Sequence, residues 1–276
     1  MRTAVVGHVE WVEFVRVARL PRADEIAHAL DRWEEPGGGG PVAAVQLLRL
    51  SGDCTFFTAV GDDDVGDRSL LGLEALGLRV EAARRPVPSR RAVTFIDADG
   101  ERSITVIGER SHPRAADLLP WSELQGVDGV YVCAADAEAL RLARRARVVV
   151  ATSRVSNLLA EAGVRLDAVV GSASDPAERS DPSRFSEPPT VVVRTEGARG
   201  GTFETAEGRA GRYAAAEPPG PIVDRYGAGD VFAAGLTFAL ARGDGLEDAL
   251  ALAARCGAWC VAGRGPYGRL LGAADI

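Results

Sequence analysis

Short apolar runs rich in β-branched residues alternate with helical patterns along almost the whole chain. Thr3–Val6, Gly129–Cys133, Val148–Ala151 and Thr190–Arg194 have the composition of strands that are covered on both faces of a sheet. Further strands are predicted at Cys54–Val60, Leu78–Ala82, Ala168–Val170, Gly200–Thr205 and Gly211–Ala215, and helices at Val42–Leu50, Val65–Leu76, Asp136–Arg145, Val155–Ala162, Ala228–Arg242 and Leu246–Val261. This alternation predicts an α/β fold, with a mainly parallel central sheet flanked by helices on both faces.

Two β-rich segments do not fit that alternation. Residues 92–107 contain two such stretches joined by Asp97–Glu101, in which the Asp-Gly pair is a strong hairpin signal. Residues 10–17 are also rich in β formers. We therefore expect residues 10–17 and 92–107 to form a small β lid beside the main sheet, within one domain that spans residues 1–276.

Composition and charge exclude several classes of protein. The 276 residues carry a net charge of −7, and a basic footprint for nucleic acid or for an anionic membrane is missing. No run of 18 apolar residues predicts a transmembrane helix, and Met1–Gly7 has no signal-peptide pattern. The four cysteines show no CxxC spacing, which predicts reduced thiols and a cytoplasmic location. Cys256 and Cys260 lie one helical turn apart, a spacing typical of small core residues or of a shared metal.

A glycine-rich turn, Asp224-Arg-Tyr-Gly-Ala-Gly-Asp230, leads into a long helical pattern. Gly227, Ala228 and Gly229 therefore lie at a helix start, where small residues let a ligand approach the backbone. The unpaired N–H groups and the dipole of such a helix start favour an anion. Asp230 stands in the same first turn, either as a plain capping residue or as a base beside this anion hole.

The turn and several other segments resemble the PfkB (ribokinase-like) family of carbohydrate kinases. The turn is similar to the second signature of that family, Asp-Thr-x-Gly-Ala-Gly-Asp. Other segments appear in the family's order at similar spacing, namely Val5–Gly7, Pro36–Gly40, Ala59–Gly66, Gly100–Ile104, Gly108–Arg110, Arg194–Gly200 and Gly263–Gly265. The resemblance covers nearly the whole chain and implies a ribokinase-like fold with a β lid.

The resemblance implies an ATP-dependent kinase that phosphorylates a hydroxyl group of a sugar or a sugar-like molecule. Asp230 would take the proton from that hydroxyl, and the backbone of Gly227, Ala228 and Gly229 would stabilise the phosphoryl group in transit. The residues expected to lie against ATP are Thr195, Gly197, Gly200 and Gly265.

The resemblance also implies substrate contacts, ions and a partner. The expected substrate contacts are Glu10, Gly38, Gly39, Gly40 and Arg110, although the four glycines from Gly37 would also suit a plain helix-entry turn. Asp175 would help to bind Mg²⁺, and Asp224 would help to bind a monovalent cation such as K⁺. Because lids in this family commonly pair, we expect a homodimer formed through the lid.

Three departures from the family pattern bear on the substrate and the metal. Gly39 stands where ribokinases have Lys, and Val42 where they have Asn, which argues against ribose itself. Glu10 and Val12 replace the Asn-x-Asp pair of the opening strand. In the polar stretch Ser172–Pro189, predicted to be a surface loop with a short helix, Ser172 and Asp175 replace the Asn and Glu of the Mg²⁺ motif, and Glu178 is a rival for the second position.

Several readings of the function remain open. A cluster of arginines near the lid, Arg90, Arg91, Arg102 and Arg110, suits a phosphorylated or acidic acceptor, or is simply a solvated basic face. A nucleoside kinase would use an aromatic platform such as Trp11, Phe14 or Phe95. The departures at Gly39, Val42 and Ser172 also fit a non-catalytic sugar or nucleotide sensor. A dinucleotide-binding oxidoreductase is excluded, because Gly-x-Gly-x-x-Gly does not follow the first strand.

Overall fold

The main sheet has the predicted parallel α/β organisation. The computed structural model describes residues 1–179 and 185–276, and in this part of the chain the largest sheet has nine strands in the order β13-β12-β11-β10-β9-β8-β1-β4-β5. These strands are β1 (Thr3–Val6), β4 (Cys54–Gly61), β5 (Arg79–Arg85), β8 (Gly129–Val132), β9 (Val148–Thr152), β10 (Ala168–Ser172), β11 (Val191–Thr195), β12 (Gly201–Thr205) and β13 (Ala210–Tyr213). All neighbours pair in parallel except β12, which is antiparallel to both β11 and β13.

Helices cover both faces of this sheet. They are α1 (Gly39–Ser51), α2 (Asp64–Ala75), α3 (Ala137–Ala143), α4 (Ser156–Ala162), α5 (Ala228–Arg242) and α6 (Leu246–Cys260). Alternate residues of a strand feed different cores: Val5 packs with α1, α5 and α6, whereas Ala4 and Val6 pack with α3 and α4. The sequence prediction of helices on both faces is confirmed.

A second sheet of four strands stands apart from the main one. It comprises β2 (Glu10–Arg16), β3 (Asp31–Gly37), β6 (Arg91–Ile96) and β7 (Arg102–Ile107), in the order β3-β2-β6-β7. The central pair β2–β6 is parallel, and the two outer pairs are antiparallel. The segments predicted as a lid thus share one sheet, and their action as a lid stays a prediction.

The inner face of the second sheet packs on the segment before α5. Phe14 is fully buried, stacks on Trp33 and meets Tyr226 edge-on, with ring centroids 4.9 Å apart in both pairs. The Arg16 guanidinium donates to the carbonyl of Val223 at 3.1 Å. This packing places the second sheet directly over the glycine turn that opens α5.

Strand β3 was not predicted from the sequence. It ends at Gly37 and α1 begins at Gly39, so the glycines considered as a helix-entry turn join a strand to a helix. In the stretch Ser172–Pro189, the predicted short helix is a 3₁₀ helix at Pro176–Glu178, and residues 180–184 lie outside the described residues.

All four cysteines are free and buried, so Cys256 and Cys260 are core residues. Among the described residues, no helix is both long and apolar enough to cross a membrane.

Candidate active site

Two helix starts converge beneath the second sheet. Helix α1 follows Gly38 and helix α5 follows Gly227, both of which have positive φ angles, of 87° and 78°. A Cβ atom placed on Gly39 would lie 2.6 Å from Oδ1 of Asp230, and one placed on Gly227 would lie 2.8 Å from Cγ1 of Val42. The unpaired N–H groups and the positive dipole ends of both helices therefore point at one region, which favours an anion there.

The region lies at the carboxyl ends of the parallel strands, where open α/β sheets bind their ligands. His8 and Glu10 follow β1, Cys133 follows β8, and Thr195 ends β11. The Cys133 Sγ and His8 Nδ1 atoms are 4.0 Å apart, so the ends of β1 and β8 meet directly. The sheet thus brings together residues that are far apart in the chain.

Asp230 is the carboxylate at this meeting point. Its Oδ1 accepts a hydrogen bond of 3.2 Å from the hydroxyl of Tyr131, and the N-cap position of α5 is filled by Gly227. Removal from water, with the negative charge of Glu178, raises the pKa of Asp230 to about 6, while the Tyr131 bond and Arg102 and Arg154 act in the other direction. A base with a pKa near neutrality is well suited to accept a proton.

The glycine loop before α1 is built around Tyr226. The N–H of Gly38 donates a 2.8 Å hydrogen bond to the Tyr226 hydroxyl oxygen, and a Cβ on Gly38 would lie 3.1 Å from His8 Nε2. The Gly38 amide is therefore already used within the protein. The amides of Gly39 and Gly40, in the first turn of α1, have no intrahelical partner and are the ones available to an acceptor.

The wall beyond Gly38 carries paired and unpaired charges. Glu10 is 7% exposed, and its Oε2 lies 2.9 Å from Nε of Arg90. The buried Nε of Arg110 has no hydrogen-bond partner among the described residues. Burial and the charges of the nearby Arg110 and Arg90 keep the pKa of His8 well below its ordinary value, so this imidazole is neutral at pH 7.

The residues expected at ATP fall into two groups. Gly200 and Gly265 have positive φ, and a Cβ there would overlap the Tyr213 carbonyl oxygen or the Glu35 carboxylate, so packing alone requires glycine. Gly197 also has a positive φ, but a Cβ on it would meet open space, as would one on Gly229 of the expected anion hole, which leaves room for a ligand. Thr195, at the end of β11, places its hydroxyl 3.5 Å from the carbonyl oxygen of Gly171.

The carboxylates predicted to bind Mg²⁺ are paired with an arginine. The Arg154 guanidinium lies 2.6 Å from Asp175 Oδ2 and 2.5 Å from Glu178 Oε1. Glu178 also accepts a 2.6 Å hydrogen bond from the N–H of Ser172, and its negative charge raises the pKa of Asp230. The geometry thus favours Glu178, the rival in the sequence prediction, as the carboxylate nearer to the site.

Asp224 has a clear role in the backbone of the site. It is 2% exposed, and its two oxygens accept hydrogen bonds from the N–H groups of Tyr226 (2.8 Å) and Gly265 (3.0 Å). It therefore fastens the turn before α5 to the loop after α6. Within residues 1–179 and 185–276, no group of three or more His, Cys, Asp or Glu side chains is arranged to hold a metal ion.

The sequence prediction overlooked three side chains that shape the site: Tyr131, His8 and Arg154. Tyr131 and His8 are buried at strand ends, and no motif marks them. Arg154 lies beyond β9, so only the sheet order brings it to Glu178. Two of the three aromatic platforms suggested for a nucleoside are engaged within the protein, because Phe14 packs on Tyr226 and Trp11 on Arg68.

The family description "pfkB family carbohydrate kinase" matches residues 2–171 and 166–270. The chain belongs to this family. An aminoimidazole riboside kinase of Salmonella typhimurium is 27% identical over 268 residues, which cover 83% of each protein. An ATP-dependent ribose-1-phosphate kinase of Halopiger xanaduensis is 32% identical over 108 residues, 39% of this chain but only 36% of that kinase.

The PfkB-family fold is also seen in a solved structure. Ribokinase of Arabidopsis thaliana, in complex with ribose and ATP, superposes with a TM-score of 0.77 over 99% of this chain and 96% of the ribokinase, at 18% identity. The match confirms the predicted ribokinase-like fold. At this identity it leaves the roles of individual side chains to the geometry described above.

Proposed function

We propose that this PfkB-family protein transfers the γ-phosphoryl group of ATP to a hydroxyl group of a sugar or a sugar-like small molecule. The observation that carries the proposal is the position of Asp230, a carboxylate with a raised pKa, between the starts of α1 and α5. An anion hole next to a base is the arrangement that phosphoryl transfer to an alcohol requires.

The proposed reaction has one chemical step. Asp230 takes the proton of the acceptor hydroxyl, the oxygen attacks the γ-phosphorus, and the bond to the bridging oxygen breaks to release ADP. The free amides of Gly227, Ala228 and Gly229 stabilise the negative charge of the phosphoryl group during transfer. The tyrosine hydroxyl of Tyr131 keeps the Asp230 carboxylate oriented toward the acceptor.

The acceptor and ATP approach from different sides of Asp230. Gly39 and Gly40 offer backbone amides to acceptor hydroxyls, and Glu10 and Arg110 lie on the wall beyond them. ATP is assigned to the side of Gly197 and Gly229, where the backbone is open to a ligand. Thr195, Gly200 and Gly265 shape this side of the site.

Mg²⁺ is proposed to accompany ATP and to offset phosphate charge. Carboxylate oxygens are the donors that Mg²⁺ prefers, and Glu178 and Asp175 supply them at the edge of the site. Arg154 holds both carboxylates in place. Potassium binding near Asp224 stays a prediction, since both oxygens of Asp224 already accept backbone N–H groups.

An ADP-release assay with Mg·ATP and a panel of sugars, sugar phosphates, sugar acids and nucleosides tests the proposal. We expect acceptor-dependent turnover that falls by a factor of about 100 or more in Asp230→Asn. Asp248→Asn is the matched control, because Asp248 occupies the same third position of α6 but is exposed and remote from the site. Binding of ATP or a sugar without any acceptor-dependent turnover would instead support the sensor function.

A further inference from the structure

Arg110 is placed at the wall of the acceptor site by a sharp turn after β7. Gly108 adopts a φ of 90°, and a Cβ on it would lie 3.9 Å from Cα of Arg90, so the chain turns back beside the start of β6. The turn brings Arg110 near Glu10, His8 and Cys133, close enough for its positive charge to act on all three.

The arginines around the site differ in how their charge is balanced. Arg90 lies 2.9 Å from Glu10, and Arg154 pairs with Asp175 and Glu178. Arg110 forms no ion pair with any described residue, and this separates it from Arg90, since the Nε atoms of both are buried without a hydrogen-bond partner. An arginine stays charged at neutral pH, and a half-buried charge without a counter-ion is less well stabilised than a paired one.

The neighbours of Arg110 do not supply the missing negative charge. Burial, with the positive charges of Arg90 and Arg154, lowers the pKa of Arg110, and the opposing effect of Glu10 is the smallest of those acting on it. Glu10 is itself already beside Arg90, and the His8 imidazole is neutral. The positive charge of Arg110 is thus left for a ligand.

His8 connects this charge to the proposed base. Its ring is close to Gly38, and the next residue, Gly39, abuts the Asp230 carboxylate. An acceptor whose hydroxyl group lies at Asp230 and whose body passes over Gly38 would therefore extend toward Arg110. Ile104 of β7 pairs with the buried Thr94 of β6, so it lies on the same face of the second sheet as Phe14.

We propose that the acceptor carries an anionic group, a phosphate or a carboxylate, which the Arg110 guanidinium binds. The location of the acceptor rests on the proposed function, because it assumes that the reacting hydroxyl lies at Asp230. A guanidinium binds both kinds of anion through two parallel N–H donors. Under this proposal, the acceptor is a sugar phosphate or a sugar acid and not a neutral sugar. Arg110 then binds the acceptor and is not part of a solvated basic face, which was the alternative left open by the sequence.

Matched acceptors test this proposal in the ADP-release assay. Ribose is compared with ribose 1-phosphate and ribose 5-phosphate, and glucose with glucose 6-phosphate and gluconate. We expect an anionic member of a set to have the higher kcat/KM. In Arg110→Gln, we expect the KM of the anionic acceptor to rise by a factor of about 10 to 100, so that its advantage in kcat/KM over the neutral counterpart is lost.

Arg91→Gln is the control for a general loss of positive charge. Arg91 is exposed at the start of β6, on the opposite face of the second sheet with Trp11 and Glu13, so its removal should leave every acceptor unaffected. Because Arg110 forms no ion pair with any described residue, Arg110→Gln should not lower the melting temperature. Comparison of the phosphorylated acceptors with the carboxylate acceptor then identifies which anion is bound.

The proposal is overturned if neutral acceptors match or exceed their anionic counterparts, or if Arg110→Gln leaves their ratio unchanged. If no acceptor supports turnover, the proposed function fails, and calorimetry with inorganic phosphate and with acetate decides the anion subsite separately. Binding of either probe to the wild type that is lost in Arg110→Gln and kept in Arg91→Gln supports the subsite. No binding to the wild type refutes it.

Discussion

Replacing Asp230 by Asn should stabilise the protein while it removes activity. The pKa of Asp230 is raised from 3.8 to about 6, so the folded state binds this proton more tightly than the unfolded state does. The stability that the protonated form supplies is present below pH 3.8 and is lost as the pH rises to 6. Above pH 6 the ionised carboxylate therefore costs the fold at most about 3 kcal/mol.

Urea unfolding of the wild type and of Asp230→Asn at two pH values measures this cost. At pH 8 we expect the free energy of unfolding of Asp230→Asn to exceed that of the wild type by up to about 3 kcal/mol. At pH 5 the difference should fall to about half, since much of the wild-type carboxylate is protonated in the folded state. Tyr131 can still donate its hydrogen bond to the amide oxygen, so the contact itself is retained.

The exposed Asp248 again provides the control, because Asp248→Asn removes a carboxylate from the same position of a helix. A carboxylate there is favoured by the helix dipole, so this variant should be neutral or slightly less stable. If Asp230→Asn were also destabilised at pH 8, by an amount independent of pH, Asp230 would be a plain stabilising residue of the helix start. The reasoning about its raised pKa would then be wrong.

Three further predictions concern the base, its hydrogen bond and the second sheet. Gly39→Ala should lower kcat by a factor of about 100, because the new Cβ would lie 2.6 Å from Asp230 Oδ1 and displace the carboxylate. Gly245→Ala is the control and should leave kcat unchanged in the same assay, because a Cβ there meets open space. Tyr131→Phe should move the acid limb of the pH profile of kcat/KM to higher pH, since the lost hydrogen bond lowers the pKa of Asp230 in the wild type; an unmoved limb would assign that limb to another group. Sedimentation velocity should give a homodimer that Ile107→Glu dissociates, because Ile107 is 45% exposed on the edge strand β7; a wild-type monomer would contradict pairing through this sheet.

The main elements could be predicted because their signals are local. Runs such as Thr190–Arg194 contain β-branched residues that fit few other structures, and the start of α5 at Ala228 follows from the glycine turn before it. Strand β3 could not be found in this way. Asp31–Gly37 carries charges and a proline, and it becomes a strand through pairing with β2 and the stacking of Trp33 on Phe14.

The site could be predicted only where a contiguous motif marks it. Asp230 and the glycines of α5 share one segment, whereas their convergence with Gly39 depends on how α1 and α5 pack. Packing also decides which polar groups are available to a ligand. The amide of Gly38 donates to Tyr226, and Arg110 forms no ion pair with a described residue. Neither fact can be read from residue order.

The destination of the γ-phosphoryl group tests the central claim most directly. Once the panel has given an active acceptor, ³¹P NMR of its reaction with Mg·ATP follows that group through the wild type and Asp230→Asn. We predict a new phosphate ester on the acceptor, formed in step with ADP by the wild type and absent in the variant. If the phosphorus appears only as inorganic phosphate, or if the ester forms equally fast without the Asp230 carboxylate, the assignment of this site to phosphoryl transfer is contradicted.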